Sequence, residues 1–311
     1  MKKAYGIRKP SHAKKKYLRR FRRRMTGVIL SAAVIAGAML LAYPAVSDQW
    51  NRLHQTHAVM NYTDTVDRLE EETYRHVLEA AYDYNRKLAR KGTDWNMGDE
   101  ELAAYRSQLD IDASGVMGYI NIPKIHVRLP ICHGTDEPVL EKAVGHLEGT
   151  SLPVGCQSFS QEEGMVTDQT EGSHCALSGH RGLPSAKLFT DLDRLAEGDR
   201  FSITVLDETL TYEVDQIHVV EPADLSDLEI VPGEDYCTLI TCTPYGVNTH
   251  RLLVRGHRIA QSMDDPTMKS QACRFWPDLI IAMAAVFGLS FLLIVLMVVT
   301  RKKKAAQTRE Q

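Results

Sequence analysis

The chain has 311 residues, 44% hydrophobic and 25% charged, which is enough for one good-sized domain with appendages or for two domains. Its formal net charge of −3 hides an asymmetry: residues 25–300 carry 20 Lys plus Arg against 39 Asp plus Glu, and the two tails carry 17 against 1. An acidic middle argues against nucleic acid as its partner and is compatible with lysine-bearing protein substrates.

Residues 1–24 form a basic tail of twelve Lys and Arg with no acid, placed beside an apolar run where attraction to anionic membrane lipid is the simplest account. The uncharged run 25–47 is long enough to cross a bilayer core of about 30 Å. It is also longer than the roughly 7 to 15 apolar residues of a cleaved signal peptide, which favours a retained anchor. A helical arm follows over 48–91, with Val66, Leu69, Val77, Ala81, Tyr84 and Leu88 at near-helical spacing and Gly92 as its stop. That apolar stripe favours packing on the rest of the protein. The arm region extends to residue 114 through a turn-rich segment, 92–98, and a second helix over 100–109. The body, 115–260, reads as short strands at 118–122, 125–131, 175–178, 200–206, 210–220, 237–242 and 250–259, with helices near 137–144 and 185–195. Such spacing predicts a mainly β fold, a closed β-barrel with short helices. A polar linker over 261–278 leads to a second apolar run, 279–300, and a basic tail, 301–311. Basic residues outside both runs place both termini in the cytoplasm and the middle outside, a two-pass cell-membrane topology with two transmembrane helices.

The segment 236–258 carries the chemistry. Cys242 ends one apolar strand, Arg251 begins the next, and Pro244, Gly246 and Asn248 supply the turn between them. A guanidinium facing a thiol favours the thiolate and offers donors to an oxyanion formed when sulfur attacks a carbonyl. Arg255 lies roughly 13 Å deeper along the ladder at about 3.3 Å per residue, so Arg251 is the better partner. The competing reading is a buried cysteine near an arginine committed to a carboxylate.

Three blocks resemble the sortase family, cysteine transpeptidases of Gram-positive cell surfaces, in its class C, pilus-assembling form. They are Thr241-Cys-Thr-Pro-Tyr-Gly-Val-Asn-Thr-His-Arg251-Leu-Leu-Val-Arg-Gly256, Leu177-Ser-Gly-His180-Arg-Gly-Leu-Pro-Ser-Ala-Lys-Leu-Phe189 and Gly118-Tyr-Ile-Asn-Ile-Pro-Lys-Ile125. The resemblance implies a sortase-type β-barrel in which Cys242 is the nucleophile, His180 the general acid and base, and Arg251 the oxyanion stabiliser. With ordinary pKa values only about 3% of such a thiol is ionised at pH 7. His126, His133, His174, His250 and His257 read as packing or surface residues.

The resemblance also implies substrates: a pilin or other surface protein with a C-terminal sorting signal of the Leu-Pro-x-Thr-Gly type, and an acceptor lysine amine. The alternatives are attachment of surface proteins to peptidoglycan and, from another class, an inactive adaptor or structural protein. Pilus sortases carry a lid with an Asp-Pro-aromatic motif; here Asp94-Trp95 stands in that neighbourhood without the proline. The reading competes with an ordinary surface loop, and pairs Trp95 with the catalytic cysteine and Asp94 with Arg251. No cofactor is called for, and the Cys and His spacings show no zinc-type pairing.

Among the six cysteines, Cys156 and Cys175 bracket a polar stretch. A disulfide there closes an 18-residue loop and contributes about 3 kcal/mol; two separate thiols are the other reading. Cys237 has the opposite strand parity to Cys242 and so points to the other face, and Cys132 and Cys273 stay unassigned.

Overall fold

The computed structural model describes residues 12–156, residues 172–260 and Gly288. Its elements run α1 (His12–Val66), α2 (Glu71–Lys91), α3 (Asp99–Arg106), β1 (Val116–Ile122), β2 (Val127–His133), α4 (Glu137–Leu140), β3 (Val144–His146), β4 (Ser173–Ser178), β5 (Arg200–Val205), β6 (Glu208–Val220), β7 (Asp235–Thr243) and β8 (His250–Ile259). The eight strands close into a barrel in the order β1-β2-β3-β4-β7-β8-β6-β5. Most neighbours are antiparallel, but β2/β3 and β4/β7 are parallel.

Two expectations change. Residues 137–144 were expected to be one helix, but helix ends at Leu140 and Val144–His146 form a strand parallel to β2. The three buried residues Val144, Gly145 and His146 leave no exposed face for a helix to present, and a Cβ on Gly145 would stand 2.3 Å from the Gly134 carbonyl oxygen. The expected helix over 185–195 is reduced to a single 3-10 turn, Leu192–Arg194. Leu188 takes a left-handed φ of 39°, which a helix cannot continue through, while Ala186, Leu188, Phe189 and Leu192 are buried in the core.

The described residues divide into two compact units, with the boundary between Val46 and Ser47. In the second, the helical arm packs on the barrel as its stripe requires. Tyr62 donates to the Met117 carbonyl at 3.0 Å and accepts from the Leu206 N–H at 2.8 Å. On α2, Asn85 donates to the carbonyls of Leu152 and Gly155 at 3.0 and 2.8 Å and accepts from the Leu152 N–H at 2.7 Å. Ala81 and Leu88 flank it on the same buried face, and Gly92 ends the helix at φ +87° with its N–H on the Leu88 carbonyl.

In the first unit the early part of α1 leaves Val28, Leu40 and Leu41 66%, 76% and 83% exposed. One described helix, over Met25–Val66, is long and apolar enough to cross a membrane. The second apolar run, 279–300, lies outside the described residues, except for Gly288.

Candidate active site

The strands β7 and β8 form the antiparallel pair expected from the turn residues between them, and Cys242 and Arg251 are direct Cα partners in that ladder. The alternation of side chains then sorts the two strands into faces. Cys237, Leu239, Leu252 and Val254 point into the barrel core. Ile240 and Leu253 point outward, where they form a second apolar cluster with Ala176 and Leu228. Cys242 and Arg251 lie two residues along from Ile240 and Leu253, so they share this outer face.

Strand β4 brings the third residue. It runs parallel to β7 with Ser178 opposite Ile240. Beyond that pair the Gly179 N–H donates to the Ile240 carbonyl at 3.0 Å and Thr241 Oγ1 donates to the Gly179 carbonyl at 2.8 Å. The ladder ends there, and His180 follows Ser178 by the same two residues that separate Cys242 from Ile240. The turn carrying His180 is held from behind: the Phe189 N–H donates to the His180 carbonyl at 3.1 Å, and a Cβ on Gly179 would stand 2.6 Å from the Phe189 ring. Arg181 ties the turn to the end of β7 and its connection to β8 through Thr243 Oγ1 at 3.3 Å and the Tyr245 ring, whose centroid is 5.8 Å away, and it forms an ion pair with Asp193 of the Leu192–Arg194 turn.

Cys242, His180 and Arg251 are each half-buried. Nε2 of His180 is shielded from solvent with no hydrogen-bond partner among the described residues, although Glu137 Oε1 stands 3.5 Å from it in ion-pair range. Arg251 Nη1 approaches the carbonyl oxygens of His250 and Asn248 at 3.2 and 3.4 Å, and no carboxylate among the described residues pairs with it. Arg255, by contrast, is committed: it grips Asp215 with two bonds of 3.1 and 2.9 Å and lies over the Tyr236 ring at 4.2 Å. The choice between the two arginines made from strand spacing therefore agrees with their surroundings.

The segment expected to act as a lid is divided. Trp95 packs on the outer cluster of Ala176, Leu228, Ile240 and Leu253, and its Nε1 donates to Glu229 Oε1 at 3.3 Å. Asp94 does not meet Arg251. Its carboxylate takes Lys91 Nζ at 2.6 Å and its N–H donates to the Gly149 carbonyl at 3.0 Å. Trp95 begins a turn and faces the barrel, while Asp94, just before that turn, lies back against the end of α2. The Lys91 ammonium holds the Asp94 carboxyl below its usual range.

Other histidines fill structural places. Nδ1 and Nε2 of His174 contact the Glu229 carbonyl at 2.9 Å and Thr238 Oγ1 at 2.8 Å. Those of His133 contact the carbonyls of Gly115 and Gln108 at 3.1 and 2.7 Å, and Nε2 of His250 pairs with Glu221 at 3.2 Å. Cys156 and Cys175 are both buried, and Cys175 stands opposite Cys237 across the β4/β7 ladder. Inward-facing Cys175 is committed to the barrel interior by strand parity, which sequence spacing around the loop does not reveal. Sequence reasoning also missed Glu137 and the outer apolar cluster. A signal existed for the cluster, since Leu239 and Ile240 are both apolar and an uninterrupted run implies cover on both faces of the strand.

A sortase-domain model matches residues 120–259. The chain is 30% identical over 179 residues to sortase D of Bacillus subtilis, covering 56% of this chain and 80% of that protein. This protein belongs to the sortase family. Its fold resembles sortase C1 of Streptococcus agalactiae, at 51% identity and a TM-score of 0.60, covering 66% of this chain and all of the other. It likewise resembles the sortase C1 of GBS pilus island 1, at 39% identity and a TM-score of 0.56, covering 68% and 95%. Members of the family are cysteine transpeptidases, and so is this enzyme.

Proposed function

We propose that this sortase is a membrane-anchored pilus polymerase that cleaves a Leu-Pro-x-Thr-Gly-like signal between Thr and Gly and joins the threonine to a pilin lysine. Cys242 Sγ adds to the threonine carbonyl carbon as thiolate, and the oxygen takes the negative charge. His180 gives its proton to the departing glycine amine, leaving a thioacyl enzyme. The lysine amine then attacks that thioester, gives its proton to His180 and expels the Cys242 thiolate. Dividing one amide exchange into two steps is the gain of covalent catalysis. Arg251 supplies donors to the oxyanion in both steps, with no carboxylate among the described residues to compete for them. What supports the reading is the direct Cys242–Arg251 pairing, together with the β4/β7 register that brings the segment of His180 to the same end of the sheet.

In this reading the polypeptide crosses the membrane at 25–47 and again at 279–300, with the barrel outside and both termini inside. Trp95 is a lid residue that covers the apolar outer cluster next to Cys242, where the leucine and proline of the signal would lie.

Co-expression with a pilin bearing a sorting signal tests it. High-mass covalent ladders are expected from the parent and none from Cys242→Ala or His180→Ala. Arg251→Lys, which keeps charge but loses the fork of donors, should lower kcat by about 10²-fold to 10³-fold. Single anchored species in place of ladders would favour peptidoglycan attachment, and ladders surviving Cys242→Ala would overturn the mechanism.

A further inference from the structure

Strands β4 and β7 pair in parallel, residue for residue, from Ser173 opposite Asp235 to Ser178 opposite Ile240. Cys175 stands directly against Cys237 in that ladder, and the two side chains are in hydrogen-bonding contact. Both lie in the barrel interior, 2% and 0% exposed. Directly paired residues on neighbouring strands have Cα atoms about 4.8 Å apart, inside the range of about 4.4 to 6.8 Å that a disulfide spans, and their side chains project to the same face.

The geometry points to a Cys175–Cys237 disulfide in the exported protein, a modification site that fastens the strand leading to His180 onto the strand ending in Cys242. It rests on the proposed placement of the barrel outside the cytoplasm, where such bonds persist. Cys175 precedes His180 by the same interval that separates Cys237 from Cys242. The bond therefore lies on the register that aligns the reacting groups. No hairpin sets that register, because β5, β6 and their connections intervene between β4 and β7. A slip of one residue would carry His180 past Cys242 and reverse the faces of the strand.

The oxidation balances with a disulfide of an extracytoplasmic thiol oxidoreductase as acceptor. Each cysteine loses its proton, the pair gives up two electrons as the S–S bond forms, and the oxidoreductase leaves as a dithiol. Neither thiol is reachable in the closed barrel, so exchange occurs while β4 and β7 assemble. The competing partner is Cys156, which is also buried and whose backbone N–H bonds Asp235, two residues before Cys237.

The test is peptide mapping of the full-length exported protein, extracted from membranes and alkylated in denaturant without reductant. The expected result is a linked Cys175–Cys237 peptide pair, lighter by two hydrogens than the separate thiols, with loss of alkylation at both positions and Cys242 alkylated. Recovery of both as alkylated thiols, or of a Cys156–Cys175 link, would overturn it. Mapping needs no activity, so a linked pair in a protein that builds no ladders counts against the polymerase reading alone.

Discussion

Acid should destabilise the barrel through His174. The residue is 1% exposed, and burial pushes its pKa down from 6.5 to about 4, with the nearby Arg255 guanidinium acting in the same direction. The Glu229 carbonyl and the carboxylates of Asp215 and Asp227 oppose the shift. Its contacts suit a neutral ring, with Nδ1–H donating to the Glu229 carbonyl and Nε2 accepting from the Thr238 hydroxyl. Because the folded state binds the proton less tightly than the unfolded chain, unfolding takes up a proton between pH 6.5 and 4. Stability from this group is present above that window and is lost as the pH falls through it. For one such site the loss is about 2 kcal/mol between pH 7 and 5 and about 3 kcal/mol by pH 4. Replacement by His174→Gln keeps one donor and one acceptor but removes the titration. In urea unfolding at pH 7, 6 and 5, the parent should lose about 2 kcal/mol more than the variant between the extremes, roughly 4 to 8 °C in Tm. Parallel pH dependence in the two proteins would refute the assignment of a buried neutral imidazole.

Trp95→Ala, alone or with Asp94→Ala, should speed alkylation of Cys242 by a thiol reagent, with Trp95→Ala giving most of the effect because Asp94 is held by Lys91 and not by Arg251; unchanged rates would count against a lid. Gly179→Ala places a Cβ 2.6 Å from the Phe189 ring, so the turn before His180 must shift, and a fall in kcat with a smaller fall in Tm is expected. Equal activity would show that Phe189 yields instead. The Tyr105 hydroxyl contacts Nδ1 of His146 at 3.0 Å and accepts from the Gly134 N–H at 3.1 Å. Tyr105→Phe leaves these buried groups short of a partner, at a cost of about 1 to 3 kcal/mol readable by denaturant titration.

The residues proposed to carry chemistry were legible because local pattern encodes them. Cys242 and Arg251 are joined by a short Pro-, Gly- and Asn-containing turn, and a hairpin pairs its strand ends by necessity. Arg255 could be set aside from strand rise alone, and its grip on Asp215 agrees. The barrel followed from the count and spacing of strands, and the packing of the arm from the apolar stripe on which Ala81 and Leu88 lie. Less visible was the end of helix at Leu140, where a short strand is made by its neighbour β2 and not by its own three residues. The loss of helix at 185–195 has the same origin, since a left-handed Leu188 serves the burial of Phe189 behind His180.

By itself the sequence singled out the groups proposed to react, since residue type and near-neighbour spacing are properties of the chain, along with the apolar run that α1 exposes. Only tertiary structure decided who stands beside whom. The parallel pairing of β4 with β7 brings the segment of His180 to the end of β7 and sets Cys175 against Cys237, while packing from outside places Trp95 on the cluster of Ile240 and Asp94 on Lys91. Such contacts join segments that are far apart along the chain, and they exist because a closed sheet must satisfy every strand edge at once.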